Sequence, residues 1–298
     1  MNAINTSYKN AIDITGLSKE YGSYSIKNLN LKVEKGTVMG LIGQNGAGKT
    51  TLIKSILNLI KTDGGDIKVF GLNNITNEKD IKNDIGVVFD ELGIPDTLNC
   101  KMINSIMKNI YSNWNSDIFT NYTAMFKLPD DKSFKNFSRG MRMKLQVAIA
   151  LSHDAKLLIL DEATSGLDPI SRNELLDILL EYMEDENHSI LVSSHITSDL
   201  ERIADYITFI DDGKILLTGE KYEISESHFI AKGNTEVINS IPSQYVISTR
   251  KSSYGCEALV KNPELIRTNY PDLVIDKASF DDILYFYVKQ PTSSDKIN

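Results

Sequence analysis

Cysteine is scarce: the 298 residues include two, Cys100 and Cys256. So few thiols, so far apart, exclude a disulfide-stapled scaffold and point to a reducing compartment with both as buried or incidental thiols. Long apolar runs are also missing. The most hydrophobic stretch, Leu157 to Leu160, is closed by Asp161, far short of the roughly 18 to 20 residues that cross a bilayer. Any membrane part of the system is therefore expected in another chain. The opening Met1-Asn2-Ala3-Ile4-Asn5-Thr6 has neither the charged start nor the apolar stretch of a signal peptide, which predicts a protein that is not secreted. An excess of positive charge is lacking too. The 32 basic residues against 40 acidic ones give a formal net charge of -8, which argues against a strong non-specific pull toward nucleic acid or anionic lipid.

What is present is an ordinary globular composition, 41% hydrophobic, at a length that suggests about two domains. Short β-rich segments dominate the first part: residues 11–18, 25–33, 37–42, 66–70 and 85–89. One helix interrupts them at 49–60, with Leu52, Ile53, Ile56, Leu57 and Ile60 at helical spacing and Gly64-Gly65 as its stop. Residues 95–150 carry Met, Ile and Leu at helical spacing with little strand signal, which predicts a helical insertion. Strands and helices then alternate: strands at 156–160, 189–193 and 206–210, helices at 169–184 and 197–204. This alternation predicts a mostly parallel sheet covered by helices. Asp211-Asp212-Gly213 reads as a hairpin turn into a strand at 214–217. From about residue 220 a small appended domain is expected, with a strand at 243–249 and a closing helix near 280–288.

The strongest single signal is Gly43-Gln44-Asn45-Gly46-Ala47-Gly48-Lys49-Thr50, the phosphate-binding loop pattern with its spacing intact. Glycines at 43, 46 and 48 allow backbone angles and close approach that a side chain would block, so consecutive N–H groups, through Thr51, can wrap a phosphate. The helix beginning near Lys49 adds its positive end at the same point. Lys49 would reach the β and γ phosphates, and the Thr50 hydroxyl would ligate Mg²⁺. The strand Val38 to Ile42 immediately before the loop and the helix immediately after supply the setting the motif requires. A second candidate is Asp161-Glu162, at the C-terminal end of an apolar strand, where parallel sheets bind ligands. Asp161 can hold Mg²⁺ and Glu162 can polarise an attacking water. Taken alone, an acidic pair ending a strand is more often a solvated strand end.

Together with its surroundings the pair resembles the nucleotide-binding subunits of ABC transporters, over about residues 11 to 219. Asn136-Phe137-Ser138-Arg139-Gly140-Met141 is similar to the signature loop of that family, usually Leu-Ser-Gly-Gly-Gln. Ser165-Gly166-Leu167-Asp168 is similar to its D-loop, His195 to its switch histidine, and Tyr21 to the aromatic that stacks on adenine. Singly, Ser138 and Gly140 could form a plain helix cap and turn, His195 could be structural, and Tyr21 could be one of 13 tyrosines. The order and spacing of the six features carry the resemblance. His153, His188 and His228 match nothing in it.

The resemblance implies an α/β fold: a P-loop NTPase core with a mostly parallel sheet, an antiparallel β subdomain, an inserted helical subdomain and a small C-terminal α+β extension. It places an ATP-binding domain at residues 9–219 and an accessory domain at 220–298. It implies two subunits, as a homodimer or pseudo-symmetric dimer, that sandwich two ATP molecules head to tail at the cytoplasmic face of the membrane and energise a separate permease chain. In that arrangement Ser138, Arg139 and Gly140 act on the nucleotide across the interface. Lys49, Glu162 and His195 are catalytic, Asp168 couples the sites, and the helical insertion receives the permease. Departures from the family pattern are Asp90-Glu91 after Phe89 where glutamine is usual, Arg139 for the first signature glycine, Met141 for its glutamine, and Ala163 for the proline after the catalytic glutamate. With Asp90 as a further metal ligand, these features are similar to a bacterial exporter subgroup. The competing expectation is an ABC-type ATPase acting on nucleic acid or ribosomes, but paired cassettes, zinc-type cysteines and a basic stripe are all missing. A GTPase would need an Asn-Lys-x-Asp sequence, which is also missing.

Overall fold

The computed structural model describes residues 8–22, 24–89, 93–252 and 255–289. Strands β1 (Asn10–Tyr21) and β2 (Tyr24–Glu34) form an antiparallel hairpin. β3 (Val38–Ile42) follows, with all five residues buried, and the phosphate loop connects it to α1 (Lys49–Ile56). This helix is a turn shorter than its apolar spacing suggests. Asn58 adopts φ 52 and the Leu59 N–H donates back to the Lys54 carbonyl at 2.9 Å, a left-handed C-terminal stop of Schellman type. Gly64-Gly65 does not provide that stop but opens β4 (Gly64–Val69). Gly65, at φ +94, runs so close to β1 that a Cβ would lie 2.6 Å from the Gly16 backbone, so the pair serves a close approach of two strands. With β5 (Leu72–Asn73) these strands make an antiparallel sheet in the order β2-β1-β4-β5.

Next come α2 (Glu78–Asn83) and β6 (Ile85–Phe89). The predicted helical stretch holds α3 (Cys100–Ile110), α4 (Ser116–Met125), a 3₁₀ turn and α5 (Arg139–Leu151). β7 (Leu157–Asp161), α6 (Pro169–Tyr182), β8 (Ser189–Ser194), α7 (Thr197–Ile203), β9 (Tyr206–Asp211) and β10 (Lys214–Glu220) complete the alternation. The second sheet has the order β10-β9-β3-β8-β7-β6, parallel except for the β10 edge. β3, β7 and β8 are buried along their whole length, as strands covered on both faces must be, which is why they read as apolar runs without alternation. Leu157 and Ile159 face one core with α1 and the antiparallel sheet. Leu158 and Leu160 face the other, with α5, α6 and α7. Each such side chain contributes about 1.5–3 kcal/mol by leaving water.

The chain continues through α8 (Lys221–Ser227), β11 (Phe229–Gly233), α9 (Thr235–Ser240), β12 (Val246–Ser252), β13 (Gly255–Val260), α10 (Pro263–Asn269), β14 (Val274–Lys277) and α11 (Phe280–Val288). The strand expected at 243–249 starts later, after a 3₁₀ turn at Ser243–Tyr245. From β11 to β14 the order is β-α-β-β-α-β, and the sheet runs β12-β13-β11-β14 with every neighbour antiparallel. This is the split βαβ arrangement. Its helices α9 and α10 cover a small core of their own around Ala231, Ile238, Ala258 and Ile266. α11 covers the other sheet face and returns to the main core, where Phe280 meets Phe209 edge-on at 5.8 Å. A capping box between Ser279 and Asp282 starts this helix. Both cysteines are buried and free. Among the described residues no helix is long and apolar enough to cross a membrane.

Candidate active site

The parallel sheet sets the site. β3 and β7 flank β8, and all three end on the same side, where Ile42 is level with Ser194 and Asp161 with Ser193. Loops leaving these ends converge in one crevice, the usual ligand position of such sheets. Gly48 begins α1 at φ 113 and Gly46 turns at φ 85. Both angles belong to the left-handed region where a side chain is strained. Gly43 has a different reason, since a Cβ there would meet the Ile210 carbonyl oxygen at 2.5 Å.

Lys49 is 5% exposed and folds back over the loop. Its Nζ donates to the carbonyls of Gly43 at 2.7 Å and Gln44 at 3.2 Å, and it lies 3.0 Å from Glu162 Oε1. The last contact is an ion pair, and among the described residues Oε1 has no hydrogen-bond donor. The other oxygen, Oε2, is 2.5 Å from His195 Nδ1. Glu162 itself stands at φ 54, and its N–H is shared between the Ser193 carbonyl and Ser193 Oγ, each at 3.1 Å. Burial pushes its carboxyl up, but the Lys49 charge and the Lys49 and His195 contacts outweigh it, so the group sits below the usual carboxylate range. It is an ionised acceptor at neutral pH.

Asp161 is buried and takes two hydroxyl donors, Thr50 Oγ1 at 2.7 Å and Ser193 Oγ at 2.6 Å. Thr50 and Asp161 thus meet as a pair of hard oxygen donors beside the loop, the donor type Mg²⁺ prefers. A cleft of about 370 Å³ opens over Gln44, Asn45, Gly46, Gly48, Lys49, Thr50 and Thr51, with Glu162 and Tyr24 at its sides.

Tyr21, Ser138, Arg139, Gly140 and Asp168 do not line this cleft. Tyr21 is 47% exposed near the end of the β1–β2 hairpin, with Lys19 Nζ 5.0 Å above its ring. Ser138 caps α5 by accepting from the Met141 N–H at 3.2 Å. Asp168 caps α6 through the N–H groups of Ile170 and Ser171 at 3.1 and 3.0 Å, which hold its carboxyl below the usual range. Asp90 lies outside the described residues. His153, His188 and His228 are structural: His153 sits between the Ile149 and Ile85 carbonyls under Tyr111, His188 stacks on Tyr182, and His228 reaches the Ile224 carbonyl and the Tyr287 hydroxyl.

Two residues escaped the sequence reading. Ser193 ties Asp161 to the Glu162 backbone, and its only signal was a polar pair, Ser193-Ser194, ending a buried strand. Tyr24 had no signal. Its hydroxyl donates to the Ala47 carbonyl at 3.4 Å, and a Cβ on Gly48 would lie 1.9 Å from that oxygen. Burial, then the Asp212 charge, pushes its phenol up to about 12, so it remains a neutral donor.

A phosphate loop at the end of a parallel strand, with an acid pair two strands away, defines a nucleotide-binding P-loop protein. The sequence matches the ABC transporter family over residues 26–165. It is 37% identical over 209 residues to the bacitracin transport ATP-binding protein BcrA of Bacillus licheniformis, covering 69% of this chain and 68% of that protein. It is likewise 37% identical over 219 residues to the lantibiotic transport ATP-binding protein SrtF of Streptococcus pyogenes, covering 72% of this chain and 93% of that one. The fold matches a solved ATP-binding subunit of an ABC transporter with a TM-score of 0.65 at 23% identity, over 72% of this chain and 92% of that one. The chain belongs to the ABC transporter ATP-binding family. It is the ATP-binding, ATP-hydrolysing subunit of such a transporter.

Proposed function

We propose that this subunit drives export, energising a separately encoded permease from the cytoplasmic face of the membrane. The names of BcrA and SrtF, which refer to bacitracin and lantibiotic transport, support cargo of that kind. Residues 9–219 form the ATP-binding domain and 220–298 an accessory domain. Two ATP-binding subunits close head to tail over two nucleotides, and no nucleic acid is involved.

The carrying observation is that Lys49, Glu162 and His195, from three separate strand ends, form one connected chain, with Lys49 and Glu162 lining the cleft and His195 behind them on Glu162. An incoming triphosphate replaces the Gly43 and Gln44 carbonyls and Glu162 as the partner of Lys49. Loop N–H groups from Gly43 to Thr51 bind the phosphates, and Tyr21 stacks on the adenine. Thr50 and Asp161, whose side chains meet beside the loop, would hold Mg²⁺, with Asp90 as a further ligand read from the sequence, and the ion would supply charge neutralisation for the phosphates. Glu162, ionised and released from Lys49, takes a proton from the attacking water, while His195 orients it and contacts the γ-phosphate. Ser138 and the Gly140 N–H complete the site of the opposite subunit, with Arg139 between them as part of the same loop, and Asp168 links the two sites. Glu162→Gln with MgATP should accumulate as an ATP-bound dimer on size exclusion. A monomer at saturating MgATP would overturn the sandwich.

A further inference from the structure

We infer that Arg139 is a positioning residue that locks the signature loop to the D-loop of its own subunit and so couples the two ATP sites. Gly166 stands at φ +70, and a Cβ there would lie 2.3 Å from Arg139 Nη1, 2.8 Å from its Cζ and 3.2 Å from its Nε. The guanidinium plane is therefore laid flat on the one residue of the D-loop that has no side chain to obstruct it. The two loops are neighbours beside this contact as well, since a Cβ built on Gly140 would lie 3.8 Å from Leu167 Cδ2.

Both loops are stiff where they meet. Ser138 caps α5 immediately before Arg139, and Asp168 caps α6 two residues after Gly166. Between Glu162 and Gly166 the chain is a tight turn, with the Ser165 N–H on the Glu162 carbonyl at 3.0 Å and the Leu167 N–H on Thr164 at 3.3 Å. A displacement of the signature loop is thus passed through Arg139 to the turn that carries Glu162. The family pattern has glycine at position 139, which could not make this contact. The inference rests on the reading above, in which the signature loop touches the nucleotide of the opposite subunit. A state change in one site then reaches the general base of the other through a few packed atoms.

The test measures ATP hydrolysis against ATP concentration for the full chain, with binding of a fluorescent ATP analogue at protein concentrations where the subunit is monomeric. The wild type should give a Hill coefficient approaching 2, the number of sites. Arg139→Ala should bring it to about 1 while analogue affinity stays within about twofold. Gly166→Ala should do the same, because its methyl group displaces the guanidinium, and the double variant should be no worse than either single one. Arg139→Lys keeps the charge but loses the plane, and should not restore cooperativity. A cooperative wild type with an equally cooperative Arg139→Ala overturns the assignment alone. So does full rescue by lysine, which would make Arg139 a charge directed at the nucleotide, and so do additive losses in the double variant. A non-cooperative wild type with no ATP-dependent dimer overturns the sandwich and this assignment together.

Discussion

Lys49 and Glu162 form an ion pair at 3.0 Å in a site where both would otherwise face the phosphates of ATP. The pair keeps the lysine turned into its own loop and the glutamate charged although it is largely buried. On the proposed function, nucleotide would exchange one anion for another at Lys49, rather than fill an unpaired site.

Lys49→Ala is expected to abolish tight MgATP binding, because it removes the side-chain cation of the loop from a polyanionic ligand. It also leaves the Glu162 carboxylate buried without that cation, so its pKa should rise as burial becomes the dominant influence. Calorimetry with MgATP checks the first outcome; unchanged affinity would remove the phosphate-loop assignment.

Glu162→Gln keeps the shape of the side chain but releases Lys49 from its anionic partner. ATP affinity should be retained or tightened, while turnover falls by on the order of 10²–10⁴, the usual contribution of a general base. Single-turnover rates with radiolabelled ATP measure this. Turnover near wild type would assign the base to another group.

Ser138 both caps α5 and is proposed to contact nucleotide across the dimer, and glycine separates the two roles. Ser138→Gly should change stability by only a few tenths of a kcal/mol, since glycine is a tolerable cap, yet ATP hydrolysis should fall. Thermal melts and steady-state kinetics on the same sample decide it. Unchanged hydrolysis would leave Ser138 as a cap alone.

Tyr24→Phe removes one hydroxyl donor from the Ala47 carbonyl, worth about 0.5–1.5 kcal/mol. The expected result is a KM for ATP raised several-fold with kcat little changed, because the contact shapes the loop rather than the reacting phosphate. Gly48→Ala should be far more severe, with φ 113 and the Tyr24 hydroxyl both opposing a methyl group. A larger loss in Tyr24→Phe than in Gly48→Ala would contradict this order.

Burial lowers the pKa of both His153 and His228 despite their carbonyl partners. The unfolded chain then takes up protons at a higher pH, near 6.5, so stability from these groups is present above that pH and is lost progressively below it. Melting temperature should fall between pH 7 and 5.5. Each kcal/mol lost lowers it by about 2–4 °C at domain sizes of 150–250 residues. His153→Gln should flatten the profile relative to wild type; an identical pH slope in that variant would exclude His153 as a source.

Local sequence was enough wherever one short segment contains its own physical reason. The loop from Gly43 to Thr50 combines glycines, a cation and a helix start within eight residues. Its strand and helix neighbours were legible from apolar runs and spacing. The turn at Asp211-Asp212-Gly213 and the closing helix at Phe280 also followed from local chemistry. Helix α1 ended early because Asn58 could take the left-handed conformation, a choice between Asn and the more distant glycine pair that spacing alone does not make.

Tertiary structure decided what depends on strand order. Ser193 joins the site only because β8 lies between β3 and β7, and Tyr24 reaches the loop only because the β1–β2 hairpin packs over Gly48. Gly65 is glycine because another strand passes 2.6 Å from where its Cβ would be, and Gly166 because Arg139 lies on it. Such contacts join residues far apart in the chain, and no periodicity or spacing within either segment encodes the other. The sequence alone determined the phosphate-loop pattern from Gly43 to Thr50; the folded arrangement decided which side chains surround it, since those distances are set by sheet order and packing.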